Sequence, residues 1–229
     1  MGTSTWLSAA ADLVLGATCP GCGQPGAGVC RGCREELRRQ APSQEQRGLP
    51  DWPRVWAAAR YEGVTRSLIG AHKERGARSG TAALGEALAR AVAALLLETA
   101  VVEATLVPVP SRPATVRGRG YDSVLLLARA AAAHLRRAGA RVWVRASLHQ
   151  VRPVADQAGL GTAARLTNLV GALRADQLRG PVLVVDDVVT TGATVLEAQR
   201  ALVAAEAQVL GAAAVAATRL RSSSQDSLR

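Results

Sequence analysis

The four residues Val182–Val185 are apolar at every position, and the two that follow, Asp186 and Asp187, are both acids. A strand without a polar face must be covered on both sides, which is the condition of an interior strand in a parallel sheet. After Val188 and Val189 comes a turn of small residues, Thr190–Thr194. A helical pattern then runs over Ala193–Glu206, with Val195, Ala198 and Leu202 on one face. Strand, turn and helix in that order place the two acids at the carboxyl edge of a sheet, where α/β proteins bind ligands.

The rest of the chain fits this frame. Val55–Tyr61, Thr105–Val109, Val142–Leu148 and Val209–Thr218 read as further strands, and Tyr121–Arg137 as an amphipathic helix carrying Val124, Ala128, Ala131 and Leu135 inward. Strands alternating with helices imply a parallel sheet with right-handed crossovers. Ala82–Val102 is the most apolar stretch, but Glu86, Arg90 and Glu98 interrupt it, so it reads as a packed helix with no membrane insertion. Thr5–Ala17 lacks the basic start of a secretion signal and holds Asp12 in its apolar part, so it reads as a short helix of a cytoplasmic protein.

The turn after the acids has its own chemistry. Gly192 lets backbone approach an anion closely, Thr190, Thr191 and Thr194 bring hydroxyls, and Ala193 begins a helix whose free amides favour phosphate. Asp186 and Asp187 cannot hold that phosphate. They suit two ribose hydroxyls or a Mg²⁺ beside them, so the run fits a sugar phosphate. An ordinary N-capped helix is the plainer alternative, but it needs one capping residue and not two acids with three threonines.

Charge is unevenly spread. Of the net +10, the segment 106–174 carries +9, with eleven arginines against Asp122 and Asp156 alone. Such a patch favours a polyanion, either a pyrophosphate-bearing small molecule or nucleic acid. Lys73 is the only lysine among 28 basic residues, which hints at a contact that suits a point charge, such as a phosphate.

All four cysteines fall in residues 1–40. Cys19 and Cys22 form one CxxC pair, and after seven residues Cys30 and Cys33 form another. Two such loops supply four thiolates for a closed structural Zn²⁺ site. A disulfide pair and an iron–sulfur cluster are the other uses, the first disfavoured in a reducing cytosol. The arginines here are offset by Glu35 and Glu36, which fits a structural or docking role better than direct binding of DNA. Residues 41–50 are polar with Pro near both ends and read as a linker, and residues 221–229 read as a disordered tail. There is no GxxxxGK[ST] and no strand-linked GxGxxG, and His72, His134 and His149 show no metal or triad spacing.

In order along the chain stand the two CxxC pairs, Tyr61–Arg66 (YEGVTR), Lys73, Val107–Pro110 (VPVP), Arg117–Tyr121 (RGRGY), Asp156–Gln157, Arg165, Asn168 and the acidic run at 182–194. The acidic run resembles the phosphoribosyl-pyrophosphate signature of type I phosphoribosyltransferases. The ordered set resembles the ComF family of bacterial competence proteins, in which a four-cysteine zinc finger precedes a phosphoribosyltransferase domain. The resemblance implies an α/β fold of that type over residues 51–220, with a zinc ribbon in residues 1–40. It implies a pentosyltransferase, of the glycosyltransferase class, that takes phosphoribosyl pyrophosphate with Mg²⁺ and an unknown acceptor. Asp186 and Asp187 would hold the ribose hydroxyls, and Val188 and Thr190–Thr194 would surround the 5-phosphate. Val109, Pro110, Ser111 and Arg112, with Arg117 and Arg119 nearby, would meet the pyrophosphate. Lys73 would act beside the acids in catalysis, and Leu148–Leu160 would be the loop that closes the site. The same resemblance implies an alternative, a non-catalytic accessory protein of DNA uptake whose partner is single-stranded DNA or a DNA-uptake protein. Asp122 departs from the family, which carries Asn there, and sets an acid near the expected pyrophosphate.

Overall fold

The computed structural model describes residues 17–74, 78–152 and 168–219. The helix expected at Thr5–Ala17 except for Ala17, the tail, and Asp156, Gln157, Arg165 and most of Leu148–Leu160 lie outside the described residues. Within them the elements run α1 (Arg31–Arg39), β1 (Ser43–Gln44), β2 (Val55–Arg60), α2 (Gly63–Glu74), α3 (Thr81–Thr99), β3 (Glu103–Pro108), α4 (Pro113–Arg119), α5 (Ser123–Arg137), β4 (Arg141–Val144), β5 (Leu148–Gln150), β6 (Leu173–Ala175), β7 (Pro181–Val189), α6 (Ala193–Ala204) and β8 (Gln208–Ala217).

Six strands form one sheet in the order β1-β2-β8-β7-β3-β4, parallel except for β1. As its uniform apolarity requires, β7 is central and covered on both faces. Leu183 and Val185 join the core on the side of α3 and α5, while Val182 and Val184 pack with Val195, Ala198 and Leu202 of α6 on the other. Fully burying a leucine or valine is worth roughly 1.5–3 kcal/mol, and α3 alone buries Leu84, Leu88 and Leu95. The small residues have a use. A Cβ on Gly85 would come 2.4 Å from that of Ala130, so glycine there allows α3 and α5 to touch backbone to backbone. No described helix is long and apolar enough to cross a membrane.

Three differences from the sequence reading follow from local chemistry. The strand expected at Val142–Leu148 is split: β4 ends at Val144, and Leu148 opens β5, which pairs antiparallel with β6 in a separate two-stranded sheet. β7 does not stop at the acids but continues to Val189, because β8 pairs with it as far as Ala217. The segment 41–50 is not a free linker. Its residues Ser43 and Gln44 pair antiparallel with β2 at the edge of the sheet, and Glu45 and Arg47 are buried as an ion pair of 3.1 Å.

Candidate functional site

β3 ends at Pro108, opposite Val185, whereas β8 accompanies β7 four residues further. Asp186–Val189 thus have a strand neighbour on one side only. On the other, the chain leaving β3 opens a cavity of about 490 Å³. It brings together Lys73, the turn Val109–Arg112, Arg119, the acids with Val188, and Thr190 and Thr194. These residues are up to 121 positions apart (Lys73 to Thr194) and were all predicted from the sequence.

The two acids are buried, Asp187 almost completely. Burial and the neighbouring Asp187 carboxylate push the pKa of Asp186 well above the ordinary carboxylate range, while the nearby Lys73 ammonium opposes that rise. Asp186 Oδ1 accepts from the Asp187 amide at 2.8 Å, which fixes its side chain against the strand. Asp187 Oδ1 pairs with Lys73 Nζ at 2.7 Å, and among the described residues its Oδ2 is buried without a hydrogen-bond partner. For Lys73, burial of the ammonium lowers the pKa, but Asp187 and Asp186 outweigh it and raise the value above the ordinary lysine range. Lys73 therefore lines the cavity with its charge on the acids.

Beyond them, Gly192 takes φ +86° and precedes α6 with no side-chain cap. Among the described residues, the side-chain hydrogen bond to this end of the helix is long, Ala193 N donating to Thr191 Oγ1 at 3.5 Å. The first turn of α6 thus keeps amides for an outside acceptor, unlike an ordinarily capped helix. Thr191, Gly192 and Ala193 do not line the cavity; they form the back of the turn whose front is Thr190 and Thr194. Gly192 lies under the Trp52 ring, where a Cβ would come within 2.1 Å of the indole.

Across the cavity, Asp122 turns out to be structural. Its Oδ1 accepts from the Val124 and Leu125 amides at 3.0 and 3.1 Å, capping α5. It also accepts from Ser111, from the amide at 3.0 Å and from the hydroxyl at 3.0 Å. The carboxylate is thus spent on holding the turn after β3 and does not face the cavity. Arg112 and Arg119 line that cavity, and Arg119 NH1 reaches Ser123 Oγ at 3.4 Å. Arg117 lies exposed on α4 outside the lining.

Comparison of the sequence with protein-family models and with curated proteins finds no match. The site therefore stands on its geometry.

Gln150, from the segment 148–160 expected to close the site, lines the cavity, but sequence reasoning missed the rest of that wall, Leu169, Ala172 and Leu173. The strands β5 and β6 have three residues each, too few for any alternation to show. Tyr61, Thr115, Ser123 and Val124 also line the cavity; Tyr61 belongs to the family-like segment, whereas Ser123 and Val124 are expected from the sequence only as part of a packed helix.

Away from the cavity, the sulfurs of Cys19, Cys22, Cys30 and Cys33 lie within 4.8 Å of one another. Two pairs, Cys19–Cys33 and Cys22–Cys30, are 3.7 Å apart. A disulfide would need about 2.05 Å, whereas a tetrahedron with metal–sulfur bonds of ~2.3 Å has edges of about 3.8 Å. Burial opposes the Cys19 thiolate, but the amides of Cys30, Cys22 and Gly21 outweigh it and lower its pKa to about 6. Burial and the neighbouring sulfurs push Cys33 up. The cluster could hold a metal ion such as zinc, which would relieve that conflict between thiolates.

Proposed function

We propose that the cavity binds phosphoribosyl pyrophosphate with Mg²⁺ and that the chain is a phosphoribosyltransferase of the ComF type, with zinc in the four-cysteine cluster. One observation carries this reading. A pair of adjacent buried acids, one of them with an unpartnered oxygen, shares a cavity with a helix start that no side chain caps. The acids are suited to a diol and the helix start to a phosphate, and a ribose 5-phosphate has both.

On this reading Asp186 and Asp187 accept hydrogen bonds from the ribose hydroxyls, and Lys73 moves off Asp187 toward the pyrophosphate as the diol arrives. Arg112 and Arg119 face the pyrophosphate from the other wall. In the transfer step the bond from the anomeric carbon to the pyrophosphate oxygen breaks, and its electron pair leaves with the pyrophosphate. The acceptor's lone pair forms the new bond to the same carbon. Positive charge growing on the ribose is stabilised by the acids, and negative charge on the leaving group by Lys73 and the arginines. Mg²⁺ bound with the pyrophosphate would add to that second effect.

Incubation of the full chain with labelled phosphoribosyl pyrophosphate, Mg²⁺ and fractionated cell extract tests transfer. Pyrophosphate release that needs one extract fraction, and that Asp186→Asn with Asp187→Asn removes, is the expected result. Release that the double variant leaves unchanged contradicts it.

A further inference from the structure

The turn at the phosphate end of the cavity is held from behind by a residue that belongs to none of the elements forming it. Arg47 comes from the segment between β1 and β2, and its side chain is 2% exposed. Its guanidinium donates from Nε to Thr190 O at 3.0 Å and from NH2 to Thr218 O at 3.1 Å and Val189 O at 3.5 Å. These carbonyls lie where β7 and β8 stop pairing, and buried carbonyls there need partners. The remaining nitrogen donates to Gln46 O at 3.0 Å and to Glu45 Oε2 at 3.1 Å. Glu45 is itself fixed by Ser43 Oγ at 3.0 Å and Arg60 at 3.3 Å.

We infer that Arg47, set in place by Glu45, is a positioning residue for the anion-binding turn Thr190–Thr194. The inference rests on the functional reading above for the ligand, but its physical content is independent of it. A peptide group is planar and trans, so its N–H points opposite to its C=O. Holding the Thr190 carbonyl against Arg47 turns the Thr191 amide away from the guanidinium. Arg47 is absent from the cavity lining, whereas Thr190 and Thr194 belong to it. Trp52 completes the brace. Its Nε1 donates to Glu45 O at 2.8 Å while its ring covers Gly192. Because Glu45 neutralises Arg47, the pair acts on the turn by geometry and adds little field at the ligand. A planar fork with five donors serves these four carbonyls and Glu45 together, which the three protons of an ammonium cannot, so lysine cannot replace it.

The test uses the full chain with Arg47→Lys, which keeps the charge and loses the fork, and Trp52→Leu as a second variant should the first fail to fold. Amide hydrogen exchange in 190–195 is predicted to quicken about tenfold, as loss of one to two hydrogen bonds implies, with α3 unchanged. Affinity for ribose 5-phosphate is predicted to fall about tenfold, by the same factor at low and high salt. Unchanged exchange in a folded variant overturns the inference. So does quickened exchange with unchanged affinity, or an affinity loss that high salt abolishes. If the parent chain binds no ribose 5-phosphate, the functional reading falls, and exchange alone decides whether Arg47 braces the turn.

Discussion

Two strand-to-helix turns face each other across the cavity, and they are built in opposite ways. The turn after β7 has no charged side chain of its own and is held from behind by Arg47 and Trp52. The turn after β3 is held by one carboxylate, Asp122, and carries its charge on Arg112 and Arg119 at the cavity. The first offers backbone amides in a fixed arrangement, which suits a phosphate that must sit in one place. The second offers side-chain cations, which attract a charged group over a distance and are screened by salt. A ligand with a fixed phosphate at one end and a departing pyrophosphate at the other would use the two turns differently.

The turn after β7 and the helix α4 that follows the other turn should differ most in their tolerance of a side chain at glycine. Gly192→Val adds a Cβ at a φ of +86° and drives it into the Trp52 ring. It is expected to cost ~3 kcal/mol or more in denaturant unfolding. Gly118 on α4 has nothing within 4 Å of an added Cβ, so Gly118→Ala is expected to be neutral or to stabilise by up to about 1 kcal/mol. Equal costs at the two sites would dissolve the contrast. Next in size is Asp122→Ala, which removes a helix cap and the clamp on Ser111 together. A loss of ~2 kcal/mol in thermal stability is expected, with weaker binding of pyrophosphate and little change for ribose 5-phosphate.

Asp186→Asn should move stability the other way. Burial and Asp187 hold a proton on Asp186 further up the pH scale in the folded chain than in the unfolded one. Between the ordinary carboxylate range and that raised value the folded state binds more protons, so stability falls as pH rises through the window. The variant is expected to flatten this slope and to gain ~1 kcal/mol at neutral pH, seen as melting temperature against pH. An unchanged slope would mean that Asp186 is not the group responsible. The smallest effect is expected for Arg112→Gln and Arg119→Gln, which should weaken pyrophosphate-containing ligands by about 0.5–1 kcal/mol each at low salt, and by less as salt is added.

How much of this was legible depended on whether the cause was local. The acidic run, its turn and the cysteine pairs are contiguous, and the structure brings the acids with Thr190 and Thr194, and the four sulfurs, together. Arg47 was invisible because the carbonyls it braces are 142 to 171 residues away and its surroundings have the polar, Pro-bounded composition of a linker. Asp122 stood out in the sequence as an acid in the wrong place, and only the position of Ser111 shows that it is engaged as a clamp. Lys73 stood out by its rarity, but composition could not say that its partner is Asp187.

The central claim is that both turns serve one ligand. Calorimetric titration of the full chain with phosphoribosyl pyrophosphate and Mg²⁺ tests it most directly. We expect binding at one site per chain, tighter than ribose 5-phosphate by a margin that shrinks with salt, and lost when Asp186→Asn and Asp187→Asn are combined. No heat from the parent chain, or undiminished binding by the double variant, would contradict the account.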